Sequence, residues 1–339
     1  MKKKRIVLQI LFLAFLIVGS VYEIRSSRTR PYQHNEGFVF GTTYSFTYQC
    51  DSDLNHTLLQ ELRKVDMALS TFNENSTVSR INRNQPHTLD TMFLSVYRLA
   101  QDVSGRTDGA FDVTVAPLVN AWGFGFKKGR FPTDESVDSM LRHVGYKRLA
   151  LREENGRWQL EKADSCMMLD FSAIAKGYGS DLVADCLRRH GVDNFMVEIG
   201  GEIVVSGCNK RQEPWRIGVT RPADDSLGTA AEVQTVLPVT DKAMATSGNY
   251  RNFYYKDGQK YAHTIDPKTG RPVTHNLLSA TVMAGTCAKA DAYATAFMVM
   301  GLDKAKRVLE DHPELEAYFI YADKDNNYQT WTNVKCLHP

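Results

Sequence analysis

Two kinds of apolar period succeed one another along this chain without regular alternation, and that pattern does most to limit its fold. Leu54, Leu58, Leu62, Val65 and Leu69 recur at helical spacing, and further helices are expected from about Thr91 to Val103, Ile174 to His190, Ala288 to Met300 and Leu302 to Glu310. Gly105, Gly191 and Gly301 punctuate their ends. Strands are expected at Phe38–Tyr48, interrupted by Gly41-Thr42-Thr43, and as a hairpin over Leu149–Leu169 that turns at Glu154-Asn155-Gly156. Phe195–Ser206 reads as two strands around Gly200-Gly201, followed by strands at Trp215–Thr220, Glu232–Val239 and Glu316–Ala322. Gly105 to Gly129, rich in glycine and aromatics, reads mostly as loop. A doubly wound parallel sheet needs strands and helices in strict turn, so the order here indicates an α+β fold. No internal repeat and no long low-complexity linker is present.

The first residues obey another rule. Lys2, Lys3, Lys4 and Arg5 precede an apolar run from Ile6 to Tyr22 in which only Gln9 is polar before Ser20. A basic stub ahead of such a run is the pattern of a secretory signal or N-terminal membrane anchor, and Val18-Gly19-Ser20 offers small residues for cleavage. The expected organisation is a leader at 1–24, a polar tether at 25–36 and a single domain at 37–339, exported to the periplasmic face of the inner membrane. Charge supports the division. Of 41 Lys and Arg and 39 Asp and Glu, the first 30 residues carry seven and one, leaving 34 against 38, a net of −4. A mildly acidic domain offers no electrostatic footprint for nucleic acid. Cys50, Cys166, Cys186, Cys208, Cys287 and Cys336 are scattered with no CxxC pair, which argues against structural zinc. Most sit in apolar surroundings that suit packing, although export would permit disulfides.

Several segments carry residues suited to chemistry. In Leu169 to Gly179, small residues lead from a strand end into a helix N-terminus, where free N–H groups favour anions. Lys176 lies early in that helix, against the dipole, which points to a phosphate ligand, although a solvated surface lysine fits the same pattern. Asp291 and Thr295 stand four apart on one helix face among Ala290, Ala292, Ala294 and Ala296. A carboxylate and a hydroxyl so placed suit Mg²⁺ bound with substrate phosphates, and equally a half-exposed acid with Thr295 bonded to its own helix. His263 can act as a base with Asp266 orienting it, or Asp266 can simply initiate the turn before Pro267. Gly109 to Asp112 and Trp122 to Gly125 set aromatics beside glycines, either to sandwich a flat ring or as an ordinary loop cluster. No complete GxGxxG in a strand–helix setting, GxSxG, HExxH or P-loop is present.

Taken together these segments resemble the ApbE family, the FAD:protein FMN transferases, over essentially everything after the leader. The resemblance runs through Gly41-Thr42, Ser70-Thr71-Phe72 with Ser76 to Asn82, Gly109 to Asp112, Trp122 to Gly125, Leu169-Asp170 through Tyr178, and Glu198 to Gly201. It continues through Ala245 to Arg251, His263 to Pro267 and Ala290-Asp291 to Thr295, and Ser172 stands where many relatives carry glycine. It implies a fold with a tunnelling-fold-like core, mixed or antiparallel sheets and packed helices. It implies Mg²⁺ held by Asp291, Thr295 and the Ala173 carbonyl. Phe40, Phe72, Ala110, Phe111, Asp112, Asp170, Lys176 and a strand formed by His263, Thr264 and Ile265 would line the FAD site, with Asp170 towards adenine and Phe72 on a ring. The implied reaction moves FMN from FAD to a threonine hydroxyl of an exported or membrane redox protein and releases AMP. His263, Lys176 and Asp291 would be its catalytic residues. A Mg²⁺-dependent FAD pyrophosphatase and a non-catalytic flavin binder are the alternative readings of the same site.

Overall fold

The computed structural model describes residues 30–126, 131–222, 232–249, 253–256 and 259–335, together with positions 13, 14, 16 and 19. The rest of the leader, Tyr250, Arg251 and Cys336 lie outside the described residues. Among those described, no helix is long and apolar enough to cross a membrane.

Strands β1 (Tyr32–Val39) and β2 (Thr42–Gln49) open the domain, followed by helices α1 (Asn55–Leu69), α2 (Thr77–Asn82), α3 (Thr91–Arg106), α4 (Ala116–Ala121) and α5 (Asp134–Leu141). Hairpin β3 (Leu149–Glu154) and β4 (Arg157–Lys162) precedes α6 (Ser172–Arg189). Then come β5 (Phe195–Ile199), β6 (Glu202–Ser206), β7 (Trp215–Thr220), β8 (Val233–Val239), β9 (Lys242–Gly248), β10 (Phe253–Lys256), β11 (Gln259–Ala262) and β12 (Leu277–Ala284). Helices α7 (Cys287–Met300) and α8 (Leu302–Asp311) and strands β13 (Glu316–Ala322) and β14 (Tyr328–Thr332) complete it. The fold is α+β, built on one eight-stranded antiparallel sheet in the order β1-β2-β5-β6-β9-β12-β13-β14.

Side-chain alternation across this sheet assigns its two faces. On β6, Val204 joins a helix-side core with Phe46, Val197, Leu58, Leu62 and Val183, while Ile203 and Val205 join Trp215, Ile217 and Leu237 of the β7–β8 hairpin on the other face. With both faces covered, the central strands are apolar on both sides. Helix α7 lies against β9 and β12, and α6, which lies against β5 and β6, crosses it. That crossing is unusually close. A Cβ at Gly177 would come within 2.5 Å of the Cys287 carbonyl oxygen.

Two turns differ from expectation in a way that matters for the site. The segment Phe38–Tyr48 is two strands, turned at Phe40 and Gly41, with φ of 53° and 74°. The sheet begins at Tyr32, so residues 32–36, assigned above to a tether, pair with β2. His263 to Ile265 is not a strand, because β11 ends at Ala262 and Ile265 makes only an isolated bridge to Pro272. Of the described cysteines, Cys186 and Cys287 are buried and Cys166 is exposed.

Candidate functional site

Helix α7 is buried all round. Ala288, Ala290, Ala292, Ala294 and Ala296 are inaccessible or nearly so, and Asp291 among them is only 3% exposed. A carboxylate in such a place is costly unless compensating groups face it. Two do. The Gly177 N–H donates to Asp291 Oδ2 at 3.1 Å, and the Lys176 ammonium stands 3.9 Å from the same oxygen. Lys176 also pairs with Glu202 at 2.7 Å, and Glu202 is as deeply buried as Asp291.

The elements holding these groups are locked together. Asp181 of α6 accepts the first two N–H groups of α7, from Cys287 at 2.7 Å and Ala288 at 2.9 Å, and so caps α7 from a neighbouring helix. Burial pushes the Asp181 carboxyl up to about 6, while the two N–H donors hold it down. Glu202 begins β6 directly after Gly200 and Gly201, whose φ of 65° and 100° make the two-residue turn from β5. Ser180 of α6 donates to the Glu202 carbonyl at 2.9 Å. Burial raises both Asp291 and Glu202, and Lys176 pulls them back towards the ionised form. Burial works against the charge on Lys176 as well, but its two carboxylates outweigh that and raise it above the ordinary lysine range.

Asp291, Lys176 and Glu202 stand on the wall of a cleft of about 1200 Å³, large enough for a dinucleotide. Every residue assigned from sequence to the FAD and Mg²⁺ sites lines it, whereas Asp266 does not, and the side chains do different work. Phe40 takes a left-handed conformation costly for an aromatic residue, compensated by packing against two core clusters. Phe72 is 72% exposed and meets Phe126 edge to face at 6.4 Å. Asp170 Oδ1 accepts the Ser172 N–H at 2.8 Å and its hydroxyl at 2.5 Å, giving this serine a use glycine could not supply. Ala110 and Phe111 are nearly buried, and Phe111 is part of the main core. Ile265 packs with Leu118, Trp122 and Val137, and Thr264 donates to Asn249 at 2.6 Å. His263 reaches the cleft edge to face with Phe124 and is its one imidazole among the described residues. The Asp266 carboxylate accepts the Lys268 N–H at 2.8 Å, the turn-initiating use of that residue.

Asp112 is also engaged internally. Its Oδ1 takes the Thr114 N–H and hydroxyl at 2.8 and 2.6 Å, and its Oδ2 takes the Tyr146 N–H at 2.9 Å. Burial pushes its carboxyl up, and these donors pull it down. Asp112→Ala leaves one buried and one half-buried N–H group unpaired and should cost about 2 kcal/mol of stability, measured by urea unfolding. An unchanged midpoint would show that water replaces the carboxylate.

Hard oxygen donors suit Mg²⁺, and their placement fits it. Asp291 Oδ2 accepts the Gly177 N–H, one helical turn after Ala173, and Ala173, Asp291 and Thr295 all line the cleft. Thr295 stands one turn beyond Asp291, its hydroxyl 3.2 Å from Ser247 Oγ. His143, Asp164 and Cys166 also converge among the described residues, but outside the cleft lining and with Arg148 3.7 Å from the Asp164 carboxylate. The residues missed from sequence are Glu202 and Ser247. Glu202 carried a readable signal, an acid opening the apolar run Ile203-Val204-Val205, which is the anomaly that marked Asp291.

A family model described as the ApbE family matches residues 40–319. The chain is 39% identical over 288 residues to a FAD:protein FMN transferase of Vibrio cholerae, covering 82% of this chain and 84% of that protein. It is 34% identical over 285 residues to the Escherichia coli K12 protein of the same name, covering 83% and 80%. Among solved structures, the flavin transferase ApbE from Vibrio cholerae superposes with a TM-score of 0.80 at 36% identity, covering 90% of this chain and 98% of that one. The apo Pseudomonas stutzeri flavinyl transferase ApbE gives 0.78 at 30% identity, covering 90% and 96%.

Proposed function

This chain belongs to the ApbE family, and from that premise we propose that it is a FAD:protein FMN transferase whose reaction depends on Mg²⁺. The observation that carries the reading is the cluster of two buried carboxylates, Asp291 and Glu202, about the Lys176 ammonium in the wall of a cleft of dinucleotide size. Asp291, Thr295 and the Ala173 carbonyl would hold the cation. Bound there, Mg²⁺ would neutralise the FAD pyrophosphate and stabilise charge on the departing phosphate.

The protein's own groups supply the rest. Lys176, kept charged by two carboxylates, supports the phosphate oxygens. Phe40 and Phe72 offer ring faces to the flavin or adenine. A threonine hydroxyl of the acceptor attacks the FMN phosphorus, and His263 at the cleft wall takes its proton. The P–O ester to threonine forms as the pyrophosphate P–O bond breaks, and AMP leaves with the released electron pair. The acceptor is an exported or membrane redox subunit. We assign the chain to the periplasmic face of the inner membrane on the strength of its leader, followed by a short tether and one transferase domain.

The test mixes the full chain with FAD, MgCl₂ and a threonine-bearing flavoprotein encoded in the same genome. Denaturing gels read covalent flavin fluorescence, and chromatography reads AMP. Equimolar labelled acceptor and AMP, both lost with EDTA, is the expected result. AMP and free FMN with an unlabelled acceptor would replace transfer by hydrolysis. Intact FAD would leave only a flavin binder.

A further inference from the structure

One ammonium serves two buried carboxylates unequally. Lys176 Nζ lies 2.7 Å from Glu202 Oε1 but 3.9 Å from Asp291 Oδ2, although both acids are almost inaccessible. The preference is built into the backbone. The Gly200-Gly201 turn fixes where β6 begins, Ser180 ties the Glu202 carbonyl to α6, and a Cβ at Gly200 would lie 3.3 Å from Glu202 Oε2. That Oε2 is buried and has no hydrogen-bond partner. Glu202 can therefore take a second N–H of Lys176 without giving up the first.

We propose that Glu202 is a positioning residue, the counter-ion that draws Lys176 off Asp291 and leaves the Asp291 carboxylate to the divalent cation. The inference rests on the metal-site reading above. Without Glu202 the half-buried ammonium has Asp291 as its remaining carboxylate, and it would compete with the cation for the same oxygens. With Glu202 in place, the arriving cation repels Lys176 towards a partner that is already bonded. The same pairing keeps the ammonium at the cleft wall, available to phosphate.

The test measures binding of Mn²⁺ alone, as a spin probe for Mg²⁺, to the full chain without FAD. Glu202→Gln preserves shape and is expected to weaken Mn²⁺ at least about tenfold. In a Lys176→Met background there is no ammonium to divert, so adding Glu202→Gln should change the Kd by no more than about twofold. Thermal melts of each variant establish folding, and the double variant reads the coupling even if one single variant is destabilised. An equal penalty in both backgrounds would reduce Glu202 to a distant negative charge and overturn the proposal. So would wild-type affinity in Glu202→Gln alone. Undiminished binding in Asp291→Ala would instead overturn the metal site itself, a failure distinct from that of Glu202.

Discussion

Replacement of Asp291 by alanine is expected to lower covalent FMN transfer by roughly 10³-fold while leaving the domain folded. The two halves of that expectation have separate causes. Asp291 is the one carboxylate on a largely buried, alanine-rich helix, and it faces Gly177 and Lys176 of α6 in the wall of the cleft. Its loss removes the only charged member of the oxygen set suited to Mg²⁺. Thr295 and the Ala173 carbonyl are neutral donors that hold a divalent ion weakly by themselves. Stability is another matter. Breaking a buried ion pair is costly when it strands a charge, but here Lys176 keeps Glu202 at 2.7 Å. The change also relieves the desolvation that raises the Asp291 carboxyl. Rates from gel fluorescence across a Mg²⁺ series, with melting curves in parallel, check both halves. Transfer at the wild-type rate would remove the cation from Asp291. An unfolded variant would instead show that Glu202 alone cannot satisfy the Lys176 ammonium.

The acid on α7 was readable because an alanine-rich helix makes a single carboxylate conspicuous. Lys176 was readable for a related reason, since a cation early in a helix opposes the dipole, and the structure gives the compensation as two carboxylates from other elements. The strands were less legible. β12 runs Leu-Leu-Ser-Ala-Thr-Val-Met-Ala, almost wholly buried, so it carries no alternation to detect. β9, rich in alanine and small polar residues, has little strand propensity and is defined by its neighbours β6 and β12. β1 failed in the opposite sense. Among the described strands it is an edge strand paired with β2, and its polar Tyr-Gln-His-Asn-Glu reads as tether because solvent faces much of it. What pairing decides, a single sequence leaves open. The same holds for Asp112, Asp170 and Thr264, whose polar atoms bond to neighbours tens of residues away or to adjacent turns. Their presence in the cleft wall was legible, but not that they brace it.

Gly177→Ala should reverse the sign that helix propensity assigns to it. In an exposed helix interior, alanine is better than glycine by about 1 kcal/mol. Gly105, near the end of α3, is such a place: nothing lies within 4 Å of its ideal Cβ, and Gly105→Ala should stabilise by up to about 1 kcal/mol. At Gly177 the same methyl would lie 2.5 and 2.7 Å from the Cys287 carbonyl oxygen and carbon and 2.9 Å from Ala288 Cα. All three are backbone atoms, so no side chain can rotate away, and the helices themselves must separate. Overpacking of this kind should cost roughly 3 kcal/mol, lowering Tm by about 5 °C or more. Function should suffer beyond stability, because α6 carries Ala173 and Lys176 and α7 carries Asp291 and Thr295. A shift between them also lengthens the Gly177–Asp291 hydrogen bond. Mn²⁺ affinity measured well below Tm separates the two effects: a stable fraction with weakened binding locates the damage at the helix crossing. If Gly177→Ala stabilises the domain as Gly105→Ala does, the crossing has room that the structure denies it. The close approach of α6 and α7 would then no longer explain how four oxygen and nitrogen groups from two helices come to share one floor.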